Sequence, residues 1–535
     1  MMKIKWKGLF LALFLGNFYF YAQAQRPNVI FILTDDQNTN TVGCYEGLVH
    51  TPNIDKLAET GIKFTNANVV SSVCSPSRYS ILTGRYYNHS YSKEFLDLYP
   101  LGNASCINNF MVLEKDNMNV AAILKDNGYN TGFVGKFHLT DTFLLKNNKQ
   151  WEANGLKTYP KDSDPRIDKE TNEKMKFNHN QWRKKIKKFG FDYVNGIYAA
   201  NLRELFNDYL NSHNVEWTMD AAMKFIDQQA GKQAPFFLYV ATTYPHGPAP
   251  ERKVDGKYTN SLDNDIQLTG EGVVDKPFNV MPSRESVKER FAKLKKENPN
   301  LPDNAITAIW WDDAVGAIVK KLKETGLDKN TLIIYTSDHG ALNGGKTTLY
   351  ENGVHVPLIM NWVNGIKSGS EYEHVVGSID YVPTILDVCQ AKIPEKMKMD
   401  GLSLKQVLEG NMKPVRDALL LEMGYARGIK TDRYKYIAVR YPEEIEQEIK
   451  EGKTFEKEKL KQPYLMLHKQ LASKSAKANP FYFDRNQVFD LLTDPHETKN
   501  IFGENSQSDQ QFHELMAREL KNFPYRPFGE FNTDK

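Results

Sequence analysis

Two pairs of metal-ligating residue types close two apolar segments of this sequence. Asp35 and Asp36 follow the run NVIFILT at residues 28–34, and Asp338 and His339 follow TLIIYTS at residues 331–337. Taken alone, an aspartate pair is equally a helix cap or a solvated turn. Carboxylates gathered at one sheet edge beside an anionic ligand are different, because they repel it unless a cation intervenes. Hard oxygen donors of this kind point to calcium, with magnesium second. Further polar groups obey the same grammar: Lys136 and His138 in GKFHL, His246 in YPHGPAP, and Lys346 in GGKTTLYENG. The spacing of two puts Lys136 and His138 on one side of an extended segment. Without more context they read as a surface lysine and a satisfied histidine, and His246 as a turn residue.

The most specific segment is CSPSRYSILTG, residues 74–84. A single cysteine such as Cys74 is as readily a buried small hydrophobe or half of a disulfide as a nucleophile. The whole segment, however, resembles the maturation motif of type I sulfatases, members of the alkaline phosphatase superfamily in which the cysteine is oxidised to formylglycine. The likeness extends over most of residues 27–400 and returns in FDLLTDPHETKN at residues 489–500. Cys74, Pro76 and Arg78 match the core of the signal read by the formylglycine-generating maturation enzyme, and Leu82, Thr83 and Gly84 match its second half.

That resemblance implies roles for each residue above. Asp35, Asp36, Asp338 and His339 would bind one divalent ion together with residue 74. Many members carry asparagine at the position of His339, and imidazole is a softer donor that must be neutral, so calcium binding is expected to be weaker or more pH-sensitive. Lys136 would neutralise sulfate oxygens, while His138 would contact the hydrated aldehyde and take a proton from it. Arg78, one helical turn beyond Cys74 if a helix begins near Pro76, would hold the diol. His246 and Lys346 would face the bridging ester oxygen, with the proton donor left open between them. A hydrated aldehyde suits this chemistry, because one oxygen attacks sulfur and the other later expels the covalent sulfate. Two departures stand out: Phe137 replaces the commoner tryptophan, and His355 in GVHVP stands where arginine is often seen.

These groups need a scaffold that brings distant positions to one edge. The segments NVIFILT, TGFVG, PFFLYVATT and TLIIYTS read as buried parallel strands, with helix-like stretches between them at residues 53–59, 119–124, 218–229 and 305–322. The expected fold is α/β, an alkaline-phosphatase-like large, mixed but mainly parallel sheet flanked by helices, with ligands at the carboxyl ends of the strands. Residues 147–187 and 254–302, polar and rich in lysine, read as insertions around that rim. The texture changes after about Pro394. Residues 427–441 and 487–492 suggest antiparallel strands of a smaller C-terminal α+β domain, and residues 443–478 a charge-dense helical candidate that could cover the domain or lean over the cleft. The expected division is a signal peptide at 1–24, a catalytic domain at 25–400 and a smaller domain at 401–535, its end loosely held from Pro524.

The chain has 535 residues, 41% of them apolar and 25% charged, which excludes a disordered tail or a small disulfide scaffold. Lys3, Lys5 and Lys7 precede an apolar run that ends in Ala22, Gln23 and Ala24, the pattern of a cleaved secretory signal. Its removal takes the formal charge from +3 to zero, so bulk charge offers nothing to a nucleic acid. No later stretch reaches membrane-spanning length, and the four cysteines fit no zinc or redox spacing. The expectation is an exported, periplasmic or secreted hydrolase of O-sulfate esters without a stable membrane anchor. Rim aromatics Trp151, Trp182, Tyr244 and Tyr258 favour a sulfated glycan as substrate, such as ulvan, carrageenan, fucoidan or a glycosaminoglycan. The rival readings are a phosphodiesterase or phosphonate monoester hydrolase of the same superfamily, or a sulfated-glycan binding protein that has lost turnover.

Overall fold

A computed structural model gives the fold. It describes residues 26–108, 111–140, 147–202, 206–210, 212–247, 251–254, 257–367, 369–451 and 469–531. The proposed signal segment therefore lies outside the described residues, as do residues 452–468 of the charged helical candidate.

The main sheet is formed by β1 (Asn28–Asp35), β2 (Ile62–Phe64), β3 (Asn130–Lys136), β4 (Tyr193–Tyr198), β5 (Phe236–Pro245), β6 (Thr331–Ser337), β7 (Leu358–Asn361) and β8 (Ser370–Tyr372). Their spatial order is β8-β2-β7-β6-β1-β5-β3-β4. The β7 strand runs antiparallel to both its neighbours, and the other pairings are parallel. All four strands expected from apolar runs are present. Alternation along β1 divides the core in two, as the strand period of two requires. Val29, Phe31 and Leu33 face one cluster, whereas Ile30 and Ile32 face the other.

Helices cover both faces: α1 (Pro52–Glu59), α2 (Cys74–Thr83), α3 (Val120–Asp126), α4 (Lys169–Lys187), α5 (Val215–Gln229), α6 (Ile306–Glu324) and α7 (Tyr381–Val388). Tyr79, Ile123, Ile186 and Leu386 place α2, α3, α4 and α7 on the first face. Leu57, Met219 and Trp310 place α1, α5 and α6 on the second. Starts are fixed by side-chain caps where the sequence offers Asn: Asn119 accepts from Ala121 N and Ala122 N, and Asn214 from Trp217 N.

Two expectations about the rim are corrected. The segment 147–187 is not a peripheral insertion, because α4 buries Trp182 and Ile186 in the first core cluster. Trp151, Trp182 and Tyr244 are buried, so they fill the interior instead of offering sugar-stacking faces; the side chain of Tyr258 is outside the described residues.

The smaller sheet is antiparallel and contains β9 (Leu419–Met423), β10 (Ala426–Lys430), β11 (Tyr434–Val439) and β12 (Asn486–Asp490), in that order. Helices α8 (Lys469–Ala478) and α9 (Ser506–Leu520) accompany it. Its core includes Ile429, Tyr436, Val488 and Phe512, and merges with Val69, Val70, Leu349 and Val354 from the larger part of the chain. Residues 524–531 are held firmly, contrary to expectation. Arg526 donates to Tyr99 O at 2.7 Å, Phe528 is buried, and Arg440 Nε reaches Glu530 Oε2 at 2.9 Å.

A buried ionic cluster joins the two parts. Lys430 Nζ lies 2.7 Å from both oxygens of Glu351, while Lys435 Nζ lies 2.6 Å from Glu351 Oε1 and 2.9 Å from Glu497 Oε1. The two lysines are 2% and 0% exposed, so neither charge has solvent to fall back on. Replacing Lys435 by Met is expected to destabilise the protein by about 3–5 kcal/mol, since it leaves Glu497 buried without its cation. Equilibrium denaturation of the two proteins checks this, and an unchanged midpoint would contradict it.

Candidate active site

The site is assembled at the carboxyl ends of β1, β3, β5 and β6 and at the start of α2. Parallel register aligns Thr34 with Ser337, so Asp35 and Asp338 leave adjacent strands side by side. Asp36 turns back with φ 68°, and its N–H donates to Asp338 Oδ1 at 3.1 Å. Aspartate is among the few non-glycine residues that tolerate this left-handed conformation. Gln37 is a buried brace: its Oε1 accepts from Thr34 Oγ1 at 2.8 Å and from Tyr335 Oη at 2.6 Å.

Helix α2 begins at Cys74 and places Arg78 one turn along, as expected. Arg78 Nε donates to Asp338 Oδ2 at 2.9 Å and Nη1 to Lys136 O at 2.8 Å. Lys136 Nζ donates to Asp35 Oδ2 at 2.6 Å, and Lys346 Nζ to Asp36 Oδ1 at 2.7 Å. Each carboxylate thus has its own cation. Cys74 Sγ lies 3.7 Å from Asp35 Oδ1, 3.3 Å from His339 Nε2 and 3.7 Å from Lys346 Nζ. His246 Nε2 is 4.0 Å from Asp36 Oδ2. His138, held at φ 56° by its N–H donation to Ala199 O, is buried, and its Nδ1 has no partner among the described residues.

Electrostatics follows from this pairing. Burial alone would raise the Asp35 carboxyl, but Lys136, His246, Arg78 and Lys346 outweigh it and hold the group well below its ordinary range. Against the same burial, Lys346 and its neighbours bring Asp36 down to about 2. Burial lowers His138 far below its ordinary value, reinforced by Lys136 and Arg78, and lowers His246 to about 4, reinforced by Lys346. Burial opposes protonation of Lys346 as well, yet Asp36, Cys74 and Asp35 raise it above the ordinary lysine value. For His339, burial is outweighed by Asp338, Cys74 and Asp36, which raise it to about 9.

The donor chemistry fits a divalent cation. Asp35, Asp36, Cys74 and His339 each offer one ligand atom, all within 4.8 Å of one another. The anionic surroundings that hold a proton on His339 would act equally on a metal ion. Asp338 stands beside this group, with Oδ1 3.7 Å from His339 Nε2. All the residues singled out in the sequence for catalysis or metal binding are therefore brought to one place.

The sequence of the molecule gives the family. The profile described as Sulfatase matches residues 27–391, and that described as N-sulphoglucosamine sulphohydrolase, C-terminal, matches residues 338–451. The chain belongs to the sulfatase family. This sulfatase is 27% identical to an ulvan-active sulfatase of Formosa agariphila over 90% of its own length and 76% of that protein. It is 30% identical to human N-acetylglucosamine-6-sulfatase, covering 78% of this chain and 70% of the human one. The solved structure of BT4656 in complex with its substrate D-glucosamine-2-N,6-O-disulfate shares the fold at a TM-score of 0.59 and 21% identity, covering 94% and 99% of the two chains. As a member of the family, the protein is a sulfuric ester hydrolase with the alkaline-phosphatase-like fold.

Several residues that shape the site carried no signal in the sequence. Asn201 accepts from Lys136 Nζ at 2.6 Å. His213, buried beneath His246, places Nδ1 2.8 Å from Thr243 Oγ1. Asn38 Oδ1 accepts from Ala341 N at 2.8 Å and Leu342 N at 2.9 Å, fixing the start of the loop that carries Lys346. That loop includes Asn343 and Thr347 at φ 47° and 70°, conformations that cost free energy unless their surroundings impose them. From α8, beside the smaller sheet, Ser475 Oγ donates to Gly344 O at 2.6 Å, and a Cβ at Gly344 would come within 3.0 Å of Ser475 Cα. At Ser475, the described end of that charged helical segment therefore reaches the loop that carries Lys346. Ser475→Ala is expected to lower kcat about tenfold with little change in KM, and to have no further effect in a Lys346→Ala background. Steady-state kinetics of the double-mutant cycle checks this; equal effects in both backgrounds would mean that Ser475 does not act through Lys346.

Proposed function

We propose that this sulfatase removes O-sulfate groups from a sulfated polysaccharide or oligosaccharide, after conversion of Cys74 to formylglycine and with calcium held by Asp35, Asp36, Asp338, His339 and residue 74. The observation that carries the reading is the convergence on residue 74 of Arg78, Lys136 and Lys346 with the aspartates that pair with them. A hydrated formylglycine supplies a nucleophilic oxygen and a second hydroxyl for release, and a bound divalent ion supplies Lewis-acid stabilisation of negative charge. The remaining tasks fall to the protein's own side chains.

Arg78, Lys136 and Lys346 set a positive potential where negative charge builds on the sulfate oxygens. Losing one such cation costs about 3 kcal/mol of transition-state stabilisation, or about two orders of magnitude in rate. The geometry favours Lys346 over His246 as proton donor to the departing alcohol. His246 Nδ1 lies 2.6 Å from Gly247 O, so its proton is committed to that carbonyl and Nε2 carries only a lone pair. Lys346, kept protonated by Asp36, has a proton to give. The neutral, buried imidazole of His138 is suited to take the proton from the second hydroxyl of residue 74.

The substrate class rests on the relatives: one is named for activity on ulvan and another for N-acetylglucosamine 6-sulfate chemistry, while the solved structure holds a sulfated glucosamine. Residues 1–24 have the composition of an export signal, which N-terminal sequencing of the natural protein tests.

Sulfate release from ulvan, carrageenan and glucosamine 6-sulfate oligosaccharides, with an aryl phosphodiester as comparison, tests the activity. Preferential diester cleavage would refute the assignment. Cys74→Ala is expected to abolish turnover with little effect on folding, and substantial residual hydrolysis would refute the role of residue 74. His138→Ala is expected to slow breakdown of the covalent sulfate, seen as a burst of alcohol followed by a slow steady state. An unchanged release step would rule out His138 as the base.

A further inference from the structure

Before maturation the donor set has a different character. As a thiol, residue 74 contributes a sulfur beside the imidazole of His339 and the carboxylates of Asp35 and Asp36, four donor atoms within 4.8 Å of one another. Calcium takes about six to eight oxygen ligands, whereas thiolate and imidazole together are the donors that zinc selects.

The spacing agrees with the chemistry. Cys74 Sγ is 3.3 Å from His339 Nε2 and 3.7 Å from Asp35 Oδ1, and His339 Nε2 is 3.2 Å from Asp36 Oδ1. A tetrahedral ion with bonds of about 2.0–2.3 Å requires ligand separations of about 3.3–3.8 Å. The outer contacts are also those of a metal site. His339 Nδ1 lies 3.0 Å from Gly340 O, a carbonyl that can only accept, so one proton stays on Nδ1 and Nε2 is the nitrogen that coordinates once its own proton is displaced. Lys136 and Lys346 hold the two carboxylates in place and balance the negative charge left over when a divalent ion meets a thiolate and two carboxylates.

We propose that the unmatured, thiol form of this sulfatase is a tetrahedral zinc site made by Asp35, Asp36, Cys74 and His339, and that conversion of the cysteine removes the soft ligand and shifts the pocket toward calcium. Zinc binding displaces two protons to solvent, one from the Cys74 thiol and one from His339 Nε2, and involves no redox change. The assignment concerns binding by the unmodified chain, so its outcome is independent of the hydrolytic reading.

The test uses the full chain produced without the maturation enzyme, with the Cys74 thiol verified by peptide mass. Zinc and calcium affinities are measured by titration, and cobalt serves as a spectroscopic probe of ligand type and geometry. The expected result is one zinc per chain, with thiolate-to-cobalt charge transfer and the intense d–d absorption of tetrahedral cobalt. Zinc affinity should fall at least about tenfold in Cys74→Ser and in His339→Asn, with far-UV circular dichroism of both variants like that of the parent. Retained secondary structure separates loss of a ligand from loss of the fold. A parent cobalt spectrum without thiolate charge transfer would overturn the proposal, as would parent-like zinc affinity in a folded Cys74→Ser variant.

Discussion

Asp35, Asp36 and Asp338 emerge from two adjacent parallel strands, and Coulomb repulsion among their carboxylates sets the terms for everything around them. In a buried setting such charges persist only when each is matched by a cation or protonated. Lys136, Lys346 and Arg78 supply the match one to one, at 2.6, 2.7 and 2.9 Å. The arrangement leaves the site strongly ionic yet close to neutral. An incoming sulfate ester can therefore exchange places with existing partners without having to enter an uncompensated field.

Architecture explains why those six side chains meet. The parallel pairing of β1 with β6 fixes two of the aspartates, β3, separated from β1 by β5, delivers Lys136, and α2 starts at Cys74 so that Arg78 comes round one turn later. Only Lys346 arrives on an irregular loop. It is also the group for which the chain recruits the most external support, from Asn38 on one side and Ser475 on the other. A side chain set on a strand end inherits its position from the ladder of hydrogen bonds, but one on a loop must have its position imposed by tertiary contacts.

That contrast also describes what could be read from the sequence. The four principal strands were legible because an apolar run ending abruptly in a charged residue has few other meanings, and the groups at their ends were legible for the same reason. Cys74 and Arg78 came through the spacing of a long motif. Asn201, His213, Asn38 and Ser475 were not legible, since a polar residue that braces another by a single hydrogen bond looks locally like any loop residue. The aromatics misled in the opposite direction: Trp151, Trp182 and Tyr244 sit in polar sequence surroundings, yet tertiary packing buries them. Lysine-rich residues 169–187 likewise hid an amphipathic helix whose apolar side, including Trp182 and Ile186, belongs to the core.

The ionic cluster of Glu351, Lys430, Lys435 and Glu497 has a bearing on how this protein can be divided. Its members lie on both sides of residue 391, where the match to the Sulfatase profile stops, and so does the contact between Ser475 and the loop of Lys346. A fragment cut at that point would keep all the candidate site residues while depriving Glu351 of both its lysines. Swapping the tail of one relative onto the body of another would raise the same mismatch. The two parts are thus heritable only as a pair, and chimeras intended to transfer specificity would have to carry both.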